Sequence, residues 1–239
     1  MISRRARLSA FTLMELLAVV AIIGILAAIL VPTLSAARTA ASKARTRTQF
    51  SQWAAAFENF RQEYGSYPQL YPNGTQHLVN QNASTTATSE HLFHDTLTGQ
   101  RRDPSGTWPA ATTRNPPMPQ AQNTRRIHFV SFNDDDFVTQ TDVNNGFNTS
   151  AQLNFIRDGF HNTSIAVITD ANLDGVINLK DSTGGYPKVT APGTTTPTIG
   201  PTTTNLPAGQ TGGIHAGVIF YSAPPNASSD GSDLIMSWK

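Results

Sequence analysis

Residues 11–34 read FTLMELLAVVAIIGILAAILVPTL, a run in which Glu15 is the one charged side chain. As a helix rising about 1.5 Å per residue it spans roughly 36 Å, enough to cross a hydrocarbon core of about 30 Å. This is a membrane segment. Ahead of it stand residues 1–10, MISRRARLSA, short and basic through Arg4, Arg5 and Arg7. A secretory signal carries its small-residue cleavage site after the apolar core; here the small residue, Ala10, precedes it, so a cut falls before the membrane helix. The leader arginines favour a cytoplasmic N-terminus, while Arg38, Lys43, Arg45 and Arg47 follow the segment closely and weaken that bias.

Glu15 needs an explanation, because a carboxylate costs about 3 kcal/mol at the centre of a bilayer and less near its surface. Two readings stand. It sits at headgroup depth and is solvated, or a chain cut after Ala10 leaves an ammonium on Phe11 with which Glu15 of a neighbouring copy pairs.

Working outward towards the C-terminus, Phe50, Trp53, Phe57, Phe60 and Tyr64 recur at spacings of three and four, a narrow apolar stripe on one helix face that predicts packing on a sheet. Gly65 is placed to end that helix, and Tyr67-Pro68 continues extended. From Asn73 to Arg126 the composition turns to Thr, Asn, Ser, Gln and Pro, which reads as a long surface excursion. His91, His94 and Asp95 within it read as solvated surface rather than metal ligands. Four runs then look like strands: IHFVSF at 127–132, SIAVIT at 164–169, GVIFYS at 217–222 and LIMSW at 234–238. The Thr/Pro/Gly tract at 190–213 reads as an extended or flexible loop.

The segment Ala10-Phe11-Thr12-Leu13-Met14-Glu15-Leu16 resembles the prepilin signal shared by type IV pilins and type II secretion pseudopilins. That resemblance implies cleavage between Ala10 and Phe11 by a prepilin peptidase, methylation of the Phe11 amine, and an assembly role for Glu15. The family usually has Gly before the cut, where this chain has Ala10. Pro32 falls where many members carry a helix-breaking proline, whose missing N–H frees a carbonyl and permits a kink or local melting. FENFRQEYGSYP, ending at Pro68, is similar to the end of the long helix in major pseudopilins, and the absence of cysteine also separates the chain from the many pilins with a C-terminal disulfide loop.

The sharpest chemical motif lies at 170–181, DANLDGVINLKD, with oxygen donors at loop positions 1, 3, 5, 9 and 12: Asp170, Asn172, Asp174, Asn178 and Asp181. Gly175 stands at position six, Val176 offers its carbonyl at position seven, and Ile177 at position eight is where such loops turn an apolar side chain inward. The loop is similar to the calcium loops of EF-hands and dockerins but lacks their flanking helices. A plain Asp/Asn/Gly turn explains the same residues without an ion. Asp230 and Asp233, before the C-terminal LIMSW, resemble the acidic loop of major pseudopilins, which in that family binds calcium, and form a weaker candidate site. The acidic run at 133–136 reads as a solvated loop.

The expected architecture is α+β and pilin-like: a leader at 1–10, a transmembrane and assembly helix at 11–34, an amphipathic stalk helix at 35–64, and a periplasmic head at 65–239 built on a small antiparallel sheet. The expected function is a structural subunit of a type II secretion pseudopilus or type IV pilus-like filament, located in the inner membrane and then in the filament. Its partners would be identical or related subunits, prepilin peptidase, the inner-membrane assembly machinery and the membrane itself. The alternative is a minor pilin-like subunit that binds DNA, a surface or a secreted substrate. Charged residues are 14% with net charge +1, and basic and aromatic residues do not cluster, so no nucleic acid is expected. Nor is catalysis, since the chain has no G-x-S-x-G, H-E-x-x-H or P-loop pattern.

Overall fold

The computed structural model describes residues 12–70, 78–80, 91–102, 117–170, 172–178, 186–192, 194, 199–201 and 213–238. The chain divides into two compact units, Met1–Ser42 and Lys43–Lys239.

A single helix, α1 (Leu13–Tyr64, 52 residues), begins in the first unit and ends in the second. Its start is fixed by a reciprocal cap. The Thr12 amide donates to Glu15 Oε2 at 2.8 Å, and the Glu15 amide donates to Thr12 Oγ1 at 3.2 Å, so two amides that no helical carbonyl can reach are satisfied. The helix runs unbroken through position 32. From Leu13 to Leu34 its large apolar side chains are exposed, with Leu13 80% and Met14 82% accessible. This is one helix long and apolar enough to cross a membrane.

In the second unit the same helix buries an aromatic face. Phe50, Trp53, Phe57 and Phe60 are at most 2% exposed, as the three-four spacing predicts, and Gly65 ends the helix at φ +78, a conformation that glycine adopts without strain. Opposite lies a three-stranded antiparallel sheet, β1 (Ile165–Thr169), β2 (Val218–Ser222) and β3 (Ile235–Met236), in the order β1-β2-β3. Register pairs Ile165 with Ser222, Thr169 with Val218, and Tyr221 with Met236.

Alternation along the strands divides the head into two cores. Ile165, Val167, Val218, Phe220 and Ile235 face α1, where Phe220 meets Phe50, Trp53 and Phe57 at ring-centroid distances of 5.5–5.9 Å. Ala166, Ile168, Ile219, Tyr221 and Met236 face the other way, onto Ile177, Val189, Ile199 and Ile214. The second layer is made of loops held by two isolated bridges, Ile177 with Ile214 and Val189 with Ile199. Both faces of the sheet are therefore covered, which explains why β1 and β2 are continuous apolar runs rather than alternating ones.

Three expectations need correction. Residues 127–132 form no strand: the Phe129 amide donates to the Leu97 carbonyl at 2.9 Å and the rings of Phe129 and Phe132 lean on the first core, but among the described residues no partner strand lies beside them. The stretch from Asn73 to Arg126 is not wholly a surface excursion. Among its described residues Val79 and Met118 are buried, and α2 (Leu92–Thr98) buries all seven of its residues. Part of the tract at 190–213 is likewise built in, through buried Ile199.

Candidate functional site

At the N-terminus, Ala10 and Phe11 lie outside the described residues. Glu15 closes the helical cap with Thr12, whose hydroxyl also donates to Glu15 Oε2 at 2.9 Å. The carboxylate is exposed at the start of α1, where the partial positive charge of the helix terminus favours an anion. The side chain of Pro32 is outside what the structure describes.

The loop after β1 has the local architecture that its sequence predicts. Asp170 is 1% exposed, and its Oδ1 and Oδ2 accept from the amides of Asp174 at 3.3 Å and Gly175 at 2.7 Å. Asn172 Oδ1 accepts from the Asp174 amide at 3.2 Å, and Asp174 Oδ1 from the Val176 amide at 2.8 Å. These bonds wind the chain around the side-chain oxygens, with Gly175 at φ +83 making the sharp turn. Ile177 points inward at 0% exposure and exchanges both backbone bonds with Ile214 at 2.8 Å. Asn178 follows on the same loop, and Asp181 lies outside the described residues. Among the described residues, no three His, Cys, Asp or Glu side chains gather as a metal-binding group.

The loop is anchored to the head from behind. The Asp170 amide donates to the Gly217 carbonyl at 2.9 Å. A Cβ on Gly217 would lie 1.8 Å from the Tyr67 hydroxyl, so the close approach requires glycine. Tyr67 donates to Glu58 at 2.7 Å and accepts from Arg61 at 2.8 Å, and burial, with Glu58 beside it, raises its pKa to about 12.

Asp230 and Asp233 sit on an exposed turn before β3. Asp230 accepts from the Ser232 amide at 2.9 Å and Asp233 from the Ser228 hydroxyl at 2.8 Å. Those donors hold both carboxyls below their ordinary pKa. The two residues shape separate local turns within one loop.

His91, His94 and Asp95 are not solvated surface. Each is at most 9% exposed. Asp95 accepts from the His91 and Arg102 amides at 3.2 and 2.7 Å and bonds the His94 ring at 2.9 Å, while burial and the neighbouring His94 push the His91 pKa down to about 3. Leu92, Phe93 and Leu97 carry this short polar network into the core with them. Two basic residues of the same region are also engaged: Arg102 lies 3.8 Å from the centre of the Phe137 ring and 3.7 Å from Asp134, and Arg125 pairs with Glu63.

One cluster has no signal in the sequence. Asp142, 4% exposed on α3 (Gln140–Asn144), places Oδ1 2.5 Å from Arg157 Nη1 and 2.8 Å from His161 Nδ1. Its other oxygen takes the Thr139 amide at 2.7 Å and hydroxyl at 2.8 Å. Burial raises the Asp142 pKa, but the Thr139 donors and Arg157 outweigh it and hold the group below its ordinary value. Burial and Arg157 lower the pKa of His161. Its ring is stacked on Phe147, 4.4 Å between centroids and 14° from parallel.

No protein-family model, curated protein or solved structure matches the chain.

Proposed function

We propose that the chain is a subunit of a type IV pilin-like or type II secretion pseudopilus filament, cut before Phe11, held in the inner membrane by its N-terminal helix with the head in the periplasm, and assembled through that helix. The observation that carries this reading is α1 itself. One uninterrupted helix is exposed and apolar at its start and forms the core of a folded head at its end. An exposed apolar surface of that size has to be covered by lipid or by like helices, and a prepilin signal stands at its beginning. The role is structural and assigns no catalytic step.

In this reading Glu15 has two separable tasks, capping α1 and neutralising the Phe11 ammonium of a neighbour. Glu15→Gln keeps an oxygen for the cap and removes the charge. Membrane insertion and processing of this variant should be normal and filament yield strongly reduced; parental yield would refute the pairing. Thr12→Val, which removes the hydroxyl of the cap but not the carboxylate, should assemble.

Calcium is a second element of the proposal, favoured by the loop after β1. Asp170, Asn172 and Asp174 supply hard side-chain oxygens on one tight turn, with the Val176 carbonyl, Asn178 and Asp181 completing the set, and the inward Ile177 with its backbone bridge matches position eight of such loops. A bound divalent cation would neutralise the acidic turn and tie it to the second core. Thermal melting of the full chain in detergent should rise with calcium over chelator, and Asp174→Ala should abolish the increment. An equal melting temperature in calcium and chelator would remove calcium from the account and leave a structural turn.

A further inference from the structure

Beside the Asp142 cluster opens a cavity of about 530 Å³, within the size of small-molecule sites, roughly 300–1,000 Å³. Its floor carries Phe147. Outside α1, the described large apolar side chains left exposed in the head are Phe147 at 54% and Leu173 at 50%, and Phe147 is the aromatic one. One face of its ring lies against His161, and the half-exposed residue lines the cavity. The ring is held from below, because His161 is fixed by Asp142, and Asp142 by Arg157 and Thr139. A buried ion pair thus supports a single exposed aromatic plate.

The walls are neutral and hydrogen-bonding. Asn148, Thr149, Gln152, Thr163, Ser164 and Thr194 line the cavity, and no Asp, Glu, Lys or Arg is among its described lining residues. Several are already set in place: Gln152 donates to Thr163 Oγ1 at 2.7 Å, and the Thr190 amide donates to Ser164 Oγ at 2.9 Å. Asn148 donates to the His161 carbonyl at 3.0 Å, and its Oδ1 has no donor among the described residues. A phosphate or carboxylate ligand would require Lys or Arg, which is absent among the described lining residues, and a lipid chain would require a lining less polar than this one. A pyranose ring has an apolar C–H face for an aromatic plate and a rim of hydroxyls for amides and hydroxyls that both donate and accept.

We propose that this cavity binds a neutral saccharide, with one pyranose ring lying on the face of Phe147 that is not stacked on His161 and its hydroxyls bonded to the Asn148, Gln152 and threonine wall. This gives a ligand chemistry to the binding alternative raised by the sequence, and it does not depend on processing at Phe11 or on assembly. The uncleaved chain should bind equally well.

The test uses the full chain in a zwitterionic, sugar-free detergent. Saturation-transfer NMR would be recorded with glucose, galactose, mannose, N-acetylglucosamine and their disaccharides, and with glucuronate and sialic acid as an anionic arm. Transfer is expected to at least one neutral sugar, lost or weakened about tenfold in Phe147→Ala and retained in Phe147→Trp. Stronger transfer to a disaccharide than to its monosaccharide assigns an extended glycan; equal transfer assigns a single ring. Fluorophenylalanine at position 147 gives a readout without side-chain loss, its resonance shifting when the sugar is added. Absence of transfer to every neutral sugar, transfer to the anionic sugars alone, or undiminished transfer in a folded Phe147→Ala variant would overturn the proposal.

Discussion

The two ends of α1 obey one backbone rule and opposite solvents. Leu13 to Leu34 presents apolar side chains around the whole circumference and buries none of those described, whereas Phe50 to Phe60 presents a single stripe and buries it almost completely. An all-round apolar helix is suited to lipid or to a bundle of its own kind; a one-sided stripe is suited to a sheet. The difference teaches that helix propensity is not what distinguishes the halves. The width of the apolar face decides what each half requires as a partner.

The strongest way to break this comparison is to cut back one large side chain in each half. Trp53→Ala removes a ring packed on Phe93 and Phe220 and should cost the head about 3–5 kcal/mol. Leu26→Ala, at a position 54% exposed, should change head stability by less than about 0.5 kcal/mol. Denaturant unfolding of the full chain in detergent, followed by the head's tryptophan fluorescence, reads both. Equal losses would mean that the halves are not energetically distinct.

Next in size is Gly217→Ala. The new methyl would collide with the Tyr67 hydroxyl, and overpacking of this kind costs about 1–3 kcal/mol. Tyr67→Phe in the same chain should recover part of the loss, since it removes the nearest atom but leaves the ring and Glu58. No recovery in the double-mutant cycle would place the strain elsewhere.

These first two effects concern parts that the sequence made legible. The α1 stripe, its end at Gly65 and the three strands with their apolar runs follow from periodicity and turn chemistry. Apart from the inward Ile177, the second core does not, because Val189, Ile199 and Ile214 are single apolar residues in polar loops, joined by bridges too short to leave an alternating pattern. Residues 127–132 mislead in the opposite sense: their side chains suit a strand, but among the described residues no neighbouring strand pairs with them. His91, His94 and Asp95 mislead because composition reports polarity and not whether polar groups satisfy one another in the interior. At the candidate sites, the Asp170 loop was legible from spacing, since its hydrogen bonds are local. The Asp142, Arg157 and His161 cluster beneath Phe147 was not, because it is assembled by tertiary contacts between loops.

A smaller effect separates the head's buried charge from its surface. Asp158 is 4% exposed. It accepts from Ser222 Oγ at 2.7 Å and from the Phe160 and Asn162 amides at 2.8 and 2.9 Å, but burial prevails and raises its pKa from 3.8 to about 6. The folded state therefore holds more protons than the unfolded state between those values, and this group's contribution falls as pH rises through that window. Asp158→Asn should gain on the order of 1–2 kcal/mol over the parent at pH 7.5, with the difference gone near pH 4. Melting temperatures of both chains across that range check the sign; a constant offset would deny the titration.

Smallest of all is Arg45→Ala. Arg45 donates to the Asp135 carbonyl at 3.1 Å and stands 3.8 Å from Asp136, with half of its side chain exposed. An exposed pair of this kind contributes less than about 1 kcal/mol, so the melting temperature should barely move and should be insensitive to salt in the variant. A large loss would extend the tightly packed half of α1 further towards its exposed half.

The central claim is that the exposed half of α1 is processed and buried among like helices, and the mass of the N-terminus tests it most directly. The protein would be purified from membranes of cells with and without an active prepilin peptidase and its N-terminal peptide weighed. The account predicts a chain beginning at methylated Phe11 in the first case and at Met1 in the second. A chain that begins at Met1 in both would make residues 11–34 an uncleaved membrane anchor and contradict the filament reading.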